Sequence, residues 1–315
     1  MQIAVTGGTG FLGRYIIQHA LDHGHQVRAL TRQPASARKV ASHLKVASDL
    51  KVANANLQWI TGNLPEPEAI EQLLTGADAV VHSAHDAMGG RFLDPPADVL
   101  QYWNRNATGS LALLEAAAHS SVQRFIYLSS GAVHETVLGD RPLDESHPRL
   151  PSTLYGATKG AVELLIRQYG VSTSLQTATI RPTSIYGAAS PIENSKWFDL
   201  IQSIRYCGPG DNERRAEGGS KTVHAADVAK ATLLLIQSPQ LQSGDVYNCC
   251  ERMISNFEVA NRAKKLLGKD CKIIGVPKQP KHLMDTRKLQ SLGMTYGGEE
   301  LLNQTIAQIA GISNS

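Results

Sequence analysis

The chain has little excess charge of either sign. Its 31 Lys and Arg stand against 28 Asp and Glu, a formal net charge of +3. That balance argues against a dedicated nucleic-acid binder, which carries a strong basic excess. No apolar run approaches the length of a membrane span, and Leu233-Leu-Leu-Ile236 is far too short. The start shows no basic region and no cleavage site, so no signal peptide is expected. Cysteine is scarce: Cys207, Cys249, Cys250 and Cys271 form no C-x-x-C pair, and the adjacent two suit a disulfide poorly. The expectation is reduced, mostly buried thiols in a cytoplasmic protein. A metal centre is not expected. His85-Asp86 lacks a third ligand by spacing, and His19 and His23 read as an exposed helix end.

What the chain does have is concentrated at its start. Ile3 to Val5 is a short apolar run of the kind that forms a buried parallel strand. Thr6-Gly7-Gly8-Thr9-Gly10 is too rich in glycine for a strand or a helix interior, and reads as a tight turn. From Phe11, the apolar residues Leu12, Ile16, Ile17, Ala20 and Leu21 follow helical spacing. Strand, glycine turn and helix together make a phosphate cradle. Missing Cβ atoms let the backbone pass close to a pyrophosphate, and the helix aims free N–H groups at its charge.

Gly24 stops that helix, and a second strand runs over 26–30. Dinucleotide folds carry an acidic residue near the end of this strand to take the ribose hydroxyls. This chain has none there; it has Arg32, with Arg28 in the strand and Arg38-Lys39 beyond. A guanidinium suits a 2′-phosphate, so NADP is favoured over NAD, and Arg14 could add a second positive charge. Residues 39–54 hold a short lysine-bearing repeat that reads as a helical connection with its lysines in solvent. Further strands are expected at 57–61, 77–81 and 124–128, with a long helix over 97–119.

The chemistry sits later. Tyr155 and Lys159 are spaced i and i+4, so on a helix they share a face. A tyrosine with a pKa of roughly ten is a poor acid or base near neutrality. A neighbouring ammonium stabilises the phenolate and lowers that value, so Tyr155 could exchange a proton with a carbonyl or hydroxyl oxygen.

Taken in order, these motifs resemble the short-chain dehydrogenase/reductase superfamily. Thr6-Gly-Gly-Thr-Gly-Phe-Leu-Gly13, spaced G-x-x-G-x-x-G, is similar to its extended, epimerase/dehydratase branch. The resemblance continues through Gly62-Asn63-Leu64, Val80-Val-His-Ser-Ala-His85, Asn106-Ala-Thr-Gly, Ile180-Arg-Pro-Thr-Ser-Ile-Tyr-Gly187 and Thr222-Val-His-Ala-Ala-Asp-Val-Ala229. It implies a catalytic set of Ser130, Tyr155 and Lys159, with Asn106 holding an ordered water near the lysine. It implies cofactor contacts from Gly7, Thr9, Gly10, Phe11, Leu12, Gly13, Arg32, Asn63, Leu64, Ser83, Ala84, His85, Ser129, Pro182 and Ile185, besides Tyr155 and Lys159. His85, Ser130, Gly131 and His134 are candidate substrate contacts. Two departures stand out. Val133-His134-Glu135 replaces the usual V-Y-G, and Ser220-Lys221-Thr222 stands where many nucleotide-sugar enzymes carry a phosphate-gripping R-D-F. The second weakens the nucleotide-sugar reading; Arg214 and Arg215 could compensate.

The expected fold is α/β, a Rossmann-type doubly wound parallel sheet with a small, mostly C-terminal substrate lobe. The dinucleotide-binding domain would comprise residues 1–185 and 220–248, and the lobe 186–219 and 249–315, with the ligand cleft over the strand ends between them. The stretch 223–247 is expected to return to the sheet. The first functional reading is an NAD(P)-dependent oxidoreductase moving hydride to or from a small-molecule carbonyl or alcohol. The alternatives are a nucleotide-sugar epimerase or dehydratase with self-recycling NAD, and a non-catalytic dinucleotide-binding regulator. The resemblance implies a homodimer through the helices near Asn106 and Tyr155; no nucleic-acid or membrane partner is expected.

Overall fold

A computed structural model describes residues 1–41, 56–90, 93–208 and 210–312. The repeat read over 39–54 lies outside the described residues from position 42 on. Contacts divide the chain into two compact units. The first comprises Met1–Pro182, Val228–Cys249 and Met284–Met294; the second comprises Thr183–Asp227, Cys250–Leu283 and the chain from Thr295 on.

Seven strands form the sheet of the first unit: β1 (Gln2–Thr6), β2 (Gln26–Thr31), β3 (Leu57–Thr61), β4 (Ala79–His82), β5 (Arg124–Leu128), β6 (Gln176–Pro182) and, later in the chain, β10 (Asp245–Cys249). Their order is β10-β6-β5-β4-β1-β2-β3, and every pairing is parallel. The fold is thus the doubly wound α/β sheet that the alternating pattern predicts. Its chain reverses direction of travel between β1 and β4, which opens a crevice at their C-terminal ends.

A parallel sheet is covered on both faces, so its strands are apolar throughout. Ile3, Ala4, Val5, Val80, Val81, Phe125 and Ile126 are all fully buried. Each large apolar side chain removed from water in this way contributes about 1.5–3 kcal/mol. The helix Phe11–Asp22 buries Gly13, Ile16, Ile17 and Ala20, the i, i+3, i+4, i+7 stripe that turns one face to the sheet. It ends at Gly24, whose φ of +76° is open to glycine and costly for other residues. The long helix expected over 97–119 is interrupted. It runs Val99–Trp103, passes through a π-helical turn Asn104–Thr108, and resumes as Gly109–Ala118.

The second unit holds β7 (Ser184–Tyr186), β8 (Glu213–Arg215), β9 (Gly219–His224), β11 (Arg252–Ser255) and β12 (Lys272–Ile274). β9 lies between β11 and β7, and β12 pairs with β8. Of the stretch expected to rejoin the main sheet, β10 does so beside β6, while β9 pairs within the second unit. Helices Phe198–Arg205, Asn256–Leu266 and Gly298–Ala310 close a separate core around Tyr186, Ile201, Ile254, Val259, Leu302 and Ile306. The four cysteines are all buried. Among the described residues no helix is long and apolar enough to cross a membrane.

Candidate active site

The glycine turn is built by contact. Gly7 has a φ of +74°, and a Cβ there would stand 2.7 Å from the Ala84 nitrogen and 2.8 Å from Ser83 Oγ. A Cβ on Gly13 would stand 2.1 Å from the Gly7 carbonyl oxygen. Only glycine at these two places lets the helix start press on the turn, and the turn on the end of β4. The Gly10 N–H donates to the Gly7 oxygen at 2.9 Å. Gly10 caps the helix without a side-chain bond, and the first turn carries no acidic residue. The positive end of the helix is therefore open to an anion, and the residues fit the diphosphate of a dinucleotide. Thr9, Phe11 and Leu12 flank this turn, each half-buried.

The end of β4 is held from several sides. Thr6 Oγ1 lies 2.6 Å from His82 Nδ1, and His82 Nε2 lies 2.7 Å from Ser110 Oγ. Burial, and then the nearby Lys159 charge, bring His82 down to about 3, so its ring is neutral. The Ser83 hydroxyl donates to the Thr6 carbonyl at 2.7 Å. Asn106, in the π-helical turn, accepts from the Asp86 N–H at 2.8 Å and donates to the carbonyls of Asp86 and Tyr102, both at 3.0 Å. Both amide hydrogens of Asn106 are thus committed to backbone. Its contribution here is to fix the chain at Asp86 rather than to present a free donor.

Asp86 is itself a junction. Its Oδ2 accepts from Arg32 Nη1 at 2.5 Å and from Arg105 Nη1 at 2.8 Å, and its Oδ1 accepts from the Met88 N–H at 2.9 Å. Burial works to raise this carboxyl. The Arg105, Met88 and Arg32 bonds outweigh it and hold the group at about 2. Arg32, at the end of β2 as expected, is therefore already ion-paired. Arg28 is turned elsewhere, to the Gln72 carbonyl.

The residues read as the chemical set converge at the end of β5. Ser130 caps the short 3-10 turn Gly131–His134, accepting from the Ala132 N–H at 3.1 Å, and is hydrogen-bonded to the Tyr155 phenol. Helix Leu154–Ser172 begins at Thr153, whose hydroxyl accepts from the Gly156 N–H at 3.1 Å. A Cβ on Gly156 would stand 2.5 Å from the Ala132 carbonyl oxygen, so glycine there lets the helix start seat against the turn that carries Ser130. Lys159 is buried and donates to the Leu128 carbonyl at 2.7 Å. Its ammonium lies 4.8 Å from the centre of the Tyr127 ring and 6.0 Å from that of Tyr155. Burial lowers it to about 7, with Glu163 acting in the opposite direction.

Tyr155 departs from the expectation of a lowered pKa. Burial raises it, and the Ser130 hydrogen bond offsets only part of that. The phenol is therefore protonated at neutral pH. His85 meets the Tyr155 ring edge-on, with centroids 4.9 Å apart, and its Nε2 lies 3.2 Å from the Tyr102 hydroxyl. Burial, and then Lys159, keep His85 neutral, at about 3.

Three of the expected contact residues have side chains engaged inside the fold. His134 is buried, its Nε2 2.9 Å from Arg181 Nη1 and its Nδ1 3.2 Å from the Pro148 carbonyl. Both ring nitrogens are thus engaged within the fold. The Ser129 hydroxyl donates to Glu163 at 2.5 Å and is spent inside the fold. Leu64 belongs to the buried core, so its side chain is packing. Asn63 follows β3, with its N–H donating to Glu66 at 3.0 Å. Pro182 ends β6, and Ile185 lies on β7 of the second unit. Sequence reasoning missed Glu163. It accepts from Arg181 Nε at 2.9 Å and Nη2 at 2.6 Å, and both side chains are fully buried. The signal was present: Tyr155, Lys159 and Glu163 follow one another at i, i+4 and i+8 on one helix face. Among the described residues no group of three or more His, Cys, Asp or Glu could hold a metal ion.

Residues 3–250 match the family described as the NAD dependent epimerase/dehydratase family. The chain is 30% identical to the 4-hydroxy-2-methyl-3-oxo-4-farnesyl-3,4-dihydroquinoline-1-oxide ketoreductase of Stigmatella aurantiaca over 256 residues, covering 78% of this chain and 67% of that one. It is 26% identical to a dTDP-glucose 4,6-dehydratase of Streptomyces niveus, over 92% of this chain and 86% of the other. In fold it is similar to the UDP-glucuronic acid 4-epimerase of Bacillus cereus solved with UDP-glucuronic acid and NAD. The TM-score there is 0.76 at 22% identity, over 99% of this chain and 98% of that one.

Proposed function

The chain belongs to the NAD dependent epimerase/dehydratase family, and from that premise we propose that it is a net reductase of a small-molecule carbonyl, favouring NADP, with Tyr155 as the acid. The dinucleotide supplies the hydride. The chain's own residues manage the proton. Ser130 and Tyr155 share a hydrogen bond, and a carbonyl oxygen seated between them would receive the Tyr155 proton as negative charge develops on it. The Lys159 ammonium, 6.0 Å from the ring centre, stabilises the phenolate left behind. His85 and Tyr102 wall the same space.

The observation that carries this reading is the convergence of Ser130, Tyr155 and the buried Lys159 at the end of β5. The similarity to a ketoreductase supports this reading. The second reading, a nucleotide-sugar dehydratase or epimerase, draws on the Streptomyces niveus relative and uses the same residues. On the first reading the protein works in the cytoplasm, as a homodimer through the helices that carry Asn106 and Tyr155.

Two measurements test it. Dinucleotide released from freshly purified, denatured protein is identified by mass spectrometry; near-stoichiometric NAD would favour the second reading. Tyr155→Phe, assayed on a carbonyl panel by oxidation of the reduced nicotinamide, should lose about 10²–10⁴-fold in rate with dinucleotide binding retained. Full turnover in that variant would overturn the assignment.

A further inference from the structure

The ribose of a bound dinucleotide is read near the end of β2, by an acidic residue for a 2′-hydroxyl or by an arginine for a 2′-phosphate. β2 carries no acid, and Arg32 follows it. The structure brings a carboxylate to that arginine from another strand. We propose that Asp86 sets the dinucleotide specificity of this protein: by pairing with both Arg32 and Arg105, it holds their charge back from a 2′-phosphate and lets the site accept a 2′-hydroxyl as well.

Asp86 is fixed in place for this. Its N–H and C=O are both held by Asn106, and its Oδ1 by the Met88 N–H, where the backbone takes a left-handed φ of +53°. That leaves Oδ2 for the two guanidiniums, at 2.5 and 2.8 Å. The arginines are the movable partners, with 56% and 40% of their side chains exposed against 18% for Asp86. The three elements that meet here are the end of β2, the end of β4 and the π-helical turn. Two cations and one anion leave the cluster one positive charge. Arg32 alone would read as a simple NADP signal; paired with Asp86 it becomes a weaker one. The carboxylate stays ionised through the working pH range, so this balance is constant.

This inference rests on the dinucleotide reading of the glycine turn, and its test separates the two. Full-length wild type, Asp86→Asn, Arg32→Gln and Arg105→Gln are titrated calorimetrically with 2′,5′-ADP and with 5′-ADP. Asparagine keeps an acceptor for the Met88 N–H while removing the charge. Removing one unit of charge beside a phosphate dianion should raise the ratio of 2′,5′-ADP to 5′-ADP affinity about tenfold in Asp86→Asn. Arg32→Gln and Arg105→Gln should each lower it. The steepness of 2′,5′-ADP binding against salt should increase in Asp86→Asn and fall in the arginine variants. A ratio unchanged within about twofold in Asp86→Asn, with both nucleotides still bound, would overturn this proposal alone. Failure of wild type to bind either nucleotide would overturn the dinucleotide site and this proposal with it. Unfolding midpoints of the variants show whether each is folded. Should Asp86→Asn not fold, an unchanged ratio in both arginine variants refutes the proposal by itself.

Discussion

Replacing Glu163 by glutamine should be among the most destabilising single changes in the first unit. Its carboxylate accepts four hydrogen bonds: from Ser129 at 2.5 Å, Arg181 at 2.9 and 2.6 Å, and Arg149 at 3.4 Å. The side chains of Glu163 and Arg181 are 0% and 1% exposed. Glutamine keeps one acceptor but turns an amide donor toward a guanidinium that has no other anion within the buried cluster described. Breaking a buried pair from one side costs about 3–5 kcal/mol, because the remaining charge stays buried and uncompensated. Against a total stability of about 5–15 kcal/mol, that is a large fraction. At roughly 2–4 °C per kcal/mol, the thermal midpoint should fall by roughly 6–20 °C. Urea unfolding followed by tryptophan fluorescence measures the same loss. The double variant Glu163→Gln/Arg181→Met supplies the control. With the stranded cation replaced by an apolar chain of similar length, most of the loss should be recovered. A loss below about 1 kcal/mol in Glu163→Gln, or no recovery in the double variant, would refute the reasoning. A second readout follows, since Glu163 raises the Lys159 pKa. Its removal should move the lysine further below about 7, and the pH profile of turnover should shift with it.

Gly13→Ala places a methyl 2.1 Å from the Gly7 carbonyl oxygen, where backbone cannot give way cheaply. The turn must open, and calorimetric dinucleotide affinity should fall at least about tenfold; unchanged affinity would mean that the turn does not cradle the diphosphate. Lys159 titrates at about 7 in the folded protein against 10.5 for an ordinary lysine. Between those values the unfolded chain binds more protons, so stability should rise with pH across that window. Lys159→Met should flatten the rise and be more stable than wild type at neutral pH while losing turnover. Denaturant midpoints measured at intervals from neutral pH upward test this, and a flat wild-type profile would count against it.

The parts that the sequence determined alone are those set by local spacing. An apolar run followed by glycines and a helical stripe is enough to write β1, the turn and the helix Phe11–Asp22, because each depends on residues within a few positions of one another. Tyr155 and Lys159 share a helix face for the same reason. The alternation of buried strands and helices was likewise enough for a parallel doubly wound sheet. Tertiary structure decided everything that depends on which distant residues meet, and in what dielectric. The pairing of Arg32 with Asp86 joins positions 54 apart and changes what an arginine after β2 signifies. Arg181 reaches Glu163 and His134 from β6, and so engages the His134 ring inside the fold. β9 chose β7 and β11 as neighbours over the main sheet, a choice its own residues do not encode. The sign of the Tyr155 shift was also out of reach. Spacing puts an ammonium on the same face, but the shift follows burial first and the Ser130 hydrogen bond second, and both are properties of the packed fold.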